Sequence, residues 1–137
     1  METLYTATIS NIGGRDGDVK SLDGILELNL KRPVEMHGPG GAANPEMLFA
    51  AAYSSCYNGA LIAVAERRKV ILAQHAVEVS ISYNKEGNNS FLSGKITVKA
   101  PGMDHDQLQQ LAENAHAVCP YSKAVKGNME MSIEVLV

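Results

Sequence analysis

The segment from Asn44 to about Arg68 constrains the fold of this chain more than any other. Asn44-Pro45-Glu46 sets three helix-start cues side by side: an N-cap asparagine, a proline at the first helical position and an acid in the first turn. The residues that follow are mostly Ala, Leu, Ser and Tyr, and Arg67, Arg68 and Lys69 stand at the far end, where cations suit the helix dipole. The pattern predicts one long helix that is apolar around nearly its whole circumference, hence a central helix covered on most sides. Six short strands and one further helix are too little to cover it in a single chain of 137 residues. A homodimer is therefore expected, with the partner subunit supplying the missing cover.

Around this helix the chain alternates. Leu4 to Asn11 sets Tyr5, Ala7 and Ile9 against Thr6, Thr8 and Ser10, which predicts a strand. The turn Gly13-Gly14-Arg15-Asp16-Gly17 leads into a second strand ending near Leu22. Asp23-Gly24 signals a hairpin into a third, which carries Leu26, Leu28 and Leu30 and stops at Pro33. Beyond the helix, Val77 to Tyr83 and Ile96 to Ala100 read as a hairpin turning at Lys85 to Asn89. A second helix opens at Asp104, with Gln107 as its capping-box partner. It should bury Leu108, Leu111, Ala115 and Val118 and break near Cys119, because Pro120 disfavours helical geometry at the residue before it. A last strand runs from Met129 to Val137, with Met131, Ile133 and Val135 on one face. The order βββ-α-ββ-α-β, with no repeat, linker or low-complexity tract, predicts one α+β domain over residues 1–137, its antiparallel sheets set around two central helices.

Charge narrows the function. Twelve basic residues against fifteen acidic ones leave no electrostatic footprint for nucleic acid or an anionic membrane. The first residues, METLYTATISN, lack the basic flank and unbroken apolar stretch of a targeting segment, and no stretch is expected to reach the ~20 apolar residues of a membrane span. The chain reads as soluble and cytoplasmic.

Its two cysteines, Cys56 and Cys119, stand too far apart in sequence for a CxxC hairpin or a zinc knuckle. In a reducing compartment they are free, catalytic or redox-cycling thiols, or else two small buried hydrophobes. Leu48, Ala52, Cys56 and Ala60 recur at i+4 spacing, which puts the first thiol in an apolar stripe. Burial there raises the thiol pKa, and only a nearby cation would lower it. Arg67 is about 16 Å down the same helix. Arg15, in the glycine-flanked turn, is either a solvated turn residue or an arginine projected inward. Glu46 either charges a helix N-terminus or holds such a guanidinium on the sulfur. The four histidines, His37, His75, His105 and His116, make no HxxxH pattern, so no metal site is expected. The six methionines read as core filler and the initiator residue.

Three blocks carry a resemblance. Gly13 to Gly17, Asn44-Pro45-Glu46-Met47-Leu48-Phe49-Ala50-Ala51 running on to Cys56, and His116-Ala117-Val118-Cys119-Pro120-Tyr121-Ser122-Lys123-Ala124 with Gly127-Asn128 resemble the organic hydroperoxide resistance (Ohr) branch of the OsmC/Ohr family. The similarity spans essentially the whole chain. It implies a thiol peroxidase acting on organic and fatty-acid hydroperoxides, built as an intertwined homodimer with sites at the subunit interface. By motif, Cys56 is implied as the peroxidatic thiolate and Cys119 as the resolving thiol, with Arg15 and Glu46 activating Cys56. Leu48, Phe49, Ala52 and Tyr53 are expected to surround the alkyl chain of the substrate. The resemblance further implies recycling by dihydrolipoyl groups on carrier proteins, with no resident cofactor. Met47, where Gln is common, and Tyr57, where Phe is usual, depart from the family pattern and bear on pocket shape. A lipid-binding or redox-sensing module of the same fold, with structural thiols, is the alternative reading.

Overall fold

The computed structural model describes the whole chain, Met1–Val137. Its residues gather into two compact units, Met1–Leu48 and Phe49–Val137.

The first unit is an antiparallel meander of β1 (Ile9–Ile12), β2 (Asp18–Ser21) and β3 (Glu27–Asn29), in that spatial order. Asn11 pairs with Val19, and Val19 in turn with Leu28. The first strand is shorter than the alternation predicts. Leu4, Tyr5 and Ala7 remain exposed outside it, since no apolar layer within the unit lies against them, and only the Leu22 N–H reaches back, to the Thr8 carbonyl at 3.2 Å. The glycine-rich turn is a single 3-10 turn over Gly14–Asp16. Gly13 and Gly14 hold positive φ of 87° and 63°, the region that favours glycine. Gly17 is required for a different reason: a Cβ there would sit 1.7 Å from the Ile12 carbonyl oxygen.

Helix α1 (Pro45–Arg67) follows the predicted limits, and the Asn44 side-chain oxygen caps it by accepting the Met47 N–H at 2.9 Å. One expectation fails here. By length and composition α1 is long and apolar enough to cross a membrane, because its many alanines raise hydropathy without adding bulk. The other expectation holds: this chain alone does not cover the helix on most sides. Only Tyr53, Tyr57, Leu61, Val64 and Ala65 are buried, a single face in which Tyr53, Tyr57, Leu61 and Ala65 recur at i+4 with Val64 beside them.

In the second unit β4 (Ala76–Glu86) and β5 (Asn89–Lys99) form a long hairpin, Ala76 opposite Lys99 and Glu86 opposite Asn89. Helix α2 (His105–Val118) opens on Asp104, whose carboxylate accepts the Gln107 N–H at 2.9 Å. It ends at Cys119, where the backbone turns extended, as the following proline requires. Leu108, Leu111 and Ala115 are buried as expected, but Val118 is exposed: it is the last residue of α2, beside the break, and points away from the face that packs. The chain then forms a short additional helix, α3 (Pro120–Val125), before β6 (Met131–Leu136). Strand β6 lies parallel to β5, Ile96 opposite Ile133, so this sheet is mixed and not antiparallel throughout. A parallel neighbour needs a crossover, and α2 with α3 provides it. The core joins Tyr53, Tyr57 and Leu61 of α1 to Leu108, Leu111 and Ala115 of α2 and to Ile96, Val98 and Val135 of the sheet.

Candidate active site

Two constellations emerge, one in each unit. In the first, the 3-10 turn projects Arg15 toward the start of α1, where Glu46 receives it. Nη1 donates to Oε2 at 3.0 Å and Nη2 to Oε1 at 2.7 Å, a bidentate fork that fixes the guanidinium plane. The Glu46 side chain is 14% exposed, and the hydrogen bonds from Arg15 hold its carboxyl below the ordinary range. The loop is braced from below by Asn11, whose side chain donates to the carbonyls of Gly14 and Asp18 and accepts the Gly14 N–H at 3.0 Å. Next to Arg15, Asp16 takes up Arg32 in a second ion pair. Arg15 is therefore not a solvated turn residue, and Glu46 does more than charge a helix end.

In the second unit the fold joins two thiols separated by 63 positions. The Cys119 thiol donates to the Cys56 sulfur at 3.8 Å, and both cysteines are free. Cys119 is fully buried and Cys56 half-buried. Burial, the larger influence, and the neighbouring Cys119 push the Cys56 thiol up, while the backbone N–H of Tyr121 acts in the opposite sense. Left to these neighbours, Cys56 is a thiol at neutral pH. A thiolate requires a positive charge from outside them.

The surroundings are aromatic. Phe49 packs on Tyr53 with ring centroids 6.3 Å apart, and Tyr53 on Tyr121 at 6.0 Å. Tyr53, expected to line a substrate pocket, is wholly buried, while Phe49, Ala52 and Leu48 keep partial exposure. Tyr57, the departure from the family pattern, puts its hydroxyl to use: it donates to the Ala112 carbonyl at 2.6 Å and ties α1 to α2. Met47, the other departure, is exposed.

Sequence reasoning missed the polar group beside the thiols. The Ser122 hydroxyl lies 2.8 Å from the Tyr53 hydroxyl and 2.8 Å from His116 Nδ1. Burial, then the charge of Lys126, lowers the His116 pKa, so this imidazole is neutral at physiological pH. The available signal was spacing. His116 and Ser122 each stand three residues from Cys119, and Tyr53 stands three from Cys56.

Comparison with known proteins points one way. Residues 38–134 match the OsmC-like protein family. An organic hydroperoxide resistance protein of Bacillus subtilis, OhrA, is 38% identical over 137 aligned residues, covering 98% of this chain and 97% of that protein. One from Xanthomonas axonopodis pv. citri is 38% identical over 134 residues, 96% of this chain and 94% of that protein. The crystal structure of an organic hydroperoxide resistance protein from Legionella pneumophila superposes with a TM-score of 0.93 at 36% identity, covering 99% of this chain and all of that one.

Proposed function

Because this chain belongs to the OsmC/Ohr family, we propose that it protects against organic hydroperoxides, and does so as a cysteine-based peroxidase. The observation that carries the reading is the pair of free thiols 3.8 Å apart in an apolar setting. A Cys56 thiolate attacks the terminal peroxide oxygen of ROOH. The O–O bond breaks, the terminal oxygen stays on Cys56 with its hydrogen as a sulfenic acid, and the alkoxide leaves as an alcohol after taking up from solvent the proton that Cys56 released on ionising. The Cys119 thiol then attacks that sulfur; an S–S bond forms, the S–O bond breaks and water departs with the thiol proton. An external dithiol returns the disulfide to two thiols. Dihydrolipoyl groups on a carrier protein are the proposed donor, and the cycle needs no resident cofactor.

Activation is assigned to Arg15 and Glu46 on the family resemblance. A guanidinium offsets the burial that disfavours the thiolate and stabilises charge on the leaving oxygen, and the bidentate carboxylate keeps it oriented. The half-buried side chains of Phe49 and Ala52 fit an alkyl substrate, and hydrogen peroxide gains nothing from them. A soluble cytoplasmic homodimer is the proposed working form.

The test is a thiol titration. One equivalent of cumene hydroperoxide should remove both thiols, and dihydrolipoamide should restore them over repeated cycles. Retention of both thiols, or irreversible loss of one, would favour a structural role for the cysteines.

A further inference from the structure

The three hydrogen-bonding groups beside the thiols are not distributed at random along the chain. Tyr53 precedes Cys56 by one helical turn on α1, His116 precedes Cys119 on α2, and Ser122 follows Cys119 on α3. One buried hydroxyl, Ser122 Oγ, binds the other two at 2.8 Å each. Packing alone does not ask for a serine here. Ser122 is 2% exposed in a helix of six residues, and α3 has no side-chain cap that this hydroxyl would supply. A buried hydroxyl is tolerated only where its partners are in place. With His116 neutral, a continuous chain is available in which Tyr53 donates to Ser122 and Ser122 donates to Nδ1 of His116.

The residue at the centre of this arrangement is Cys119, the single non-helical residue between α2 and α3, with φ −62° and ψ 123°. Its sulfur stands 3.8 Å from that of Cys56, whereas a disulfide requires about 2.05 Å. The two sulfurs must therefore approach by more than 1 Å in closing, roughly the misplacement at which intramolecular reactions lose large factors in rate. Hydrogen bonds from α1 and α2 onto α3 tie the segment just after Cys119 to both helices.

We propose that Ser122 is a positioning residue for disulfide closure, holding α3 to α1 through Tyr53 and to α2 through His116 so that Cys119 swings onto Cys56 along one short path. The proposal rests on the peroxidase reading above. It concerns the second step alone: the Cys119 thiol displacing water from the Cys56 sulfenic acid. Peroxide attack on Cys56 needs nothing from Ser122.

The experiment compares wild type with Ser122→Ala, Ser122→Thr and Tyr53→Phe in single-turnover reaction with cumene hydroperoxide. It follows hydroperoxide loss, disulfide formation, and sulfinic acid on Cys56 by mass spectrometry at increasing peroxide. Ser122→Ala should form its disulfide about ten-fold more slowly, the order expected of a lost buried hydrogen bond, with hydroperoxide reduction within two-fold of wild type. The longer-lived sulfenic acid should let sulfinic acid appear at about ten-fold lower peroxide, a ratio that does not depend on how much protein is folded. Ser122→Thr, which keeps the hydroxyl, should recover most of the closure rate. Tyr53→Phe removes one bond and keeps the ring, so it carries the test if Ser122→Ala does not fold; its closure should slow by a smaller factor. Unchanged closure in Ser122→Ala and Tyr53→Phe, or equal slowing of both steps, overturns the proposal. Failure of the wild-type protein to form any sulfenic acid or disulfide overturns the peroxidase reading instead.

Discussion

Cys56 and Cys119 are chemically alike and differently held, so their substitutions should differ. Cys56 lies inside α1 and is half-buried; Cys119 is wholly buried at a backbone joint. Cys56→Ser should abolish hydroperoxide consumption. Cys119→Ser should reduce one equivalent and then stall at the sulfenic acid or beyond, and multiple turnovers by both variants would contradict the assignment. Arg15 supplies a second contrast. Burial pushes the Cys56 thiol up, so a thiolate there needs a cation, and on the proposed assignment of that role to Arg15 its removal disfavours the charged form further. Arg15→Ala should therefore move the pH midpoint of Cys56 alkylation upward and slow alkylation at neutral pH about ten-fold. Glu46→Ala should act in the same direction and less strongly, because the guanidinium remains but loses its orienting carboxylate. An unchanged midpoint in Arg15→Ala would leave the Arg15–Glu46 fork a structural pair. These proposed roles are legible in sequence only through the family resemblance: an arginine in a glycine turn and a glutamate at a helix start each have a common bland role. The Tyr53–Ser122–His116 group was hidden for the opposite reason, since three ordinary polar residues acquire meaning only when three helices bring them to one point.

Elements whose limits are set locally were legible, and those set by distant partners were not. Asn44 caps α1 and Asp104 caps α2 with their own side chains, and Pro120 ends α2 by its own ring, so all three were readable. The parallel direction of β6, the separate helix α3 and the exposure of Val118 depend on the crossover path, which leaves no local mark. β1 was read as too long because alternation records which residues suit a strand and not whether a neighbouring layer exists. The turn between β1 and β2 permits a test at this scale. A Cβ on Gly17 would lie 1.7 Å from the Ile12 carbonyl oxygen and 2.7 Å from the Gly13 Cα, both backbone atoms that cannot rotate aside. Gly17→Ala should destabilise the protein by about 3 kcal/mol in urea melts. It should also weaken Arg15-dependent alkylation, because the turn that aims the guanidinium is the one displaced. Gly14→Ala meets no atom within 4 Å and carries only the penalty of its positive φ, so it should cost about 1 kcal/mol. Equal losses for the two variants would show that backbone conformation, and not the close approach at Gly17, governs this turn.

The molecule as a whole leaves apolar surface that a lone chain in water would not keep. Within Met1–Leu48 only Val19 and Leu30 are buried among the large apolar residues, while Leu4 is 87% exposed, Tyr5 80%, Ile12 79%, Leu22 77% and Ile25 87%. Tyr5, Ile9, Leu22, Ile25 and Leu26 line one cavity of about 410 Å³ in this unit, an apolar hollow with no side chain of the unit to fill it. On α1, the faces away from Tyr53, Tyr57 and Leu61 remain exposed or half-exposed through Ala51, Ala63 and Ile62. Contiguous apolar surface of this kind marks an interface more often than it is left bare. A membrane is the competing cover for α1, yet Asn58 in mid-helix bonds His75 at 2.8 Å and Glu46 opens the helix in a bidentate ion pair, polar contacts that hydrocarbon around the helix would have to enclose. A second copy of the chain, the proposed working form, would meet both needs by covering the bare meander and the bare helix faces. The protein should therefore sediment as a homodimer at micromolar concentration. Its thermal midpoint should rise with protein concentration, since mass action couples association to folding. Introducing charge on the exposed meander, as in Ile25→Asp with Leu4→Asp, should dissociate the dimer and lower peroxidase activity together while leaving the β4–β5–β6 unit folded by circular dichroism. A fully active monomer with a concentration-independent midpoint would refute the dimer and, with it, the shared site that the proposed activation by Arg15 assumes.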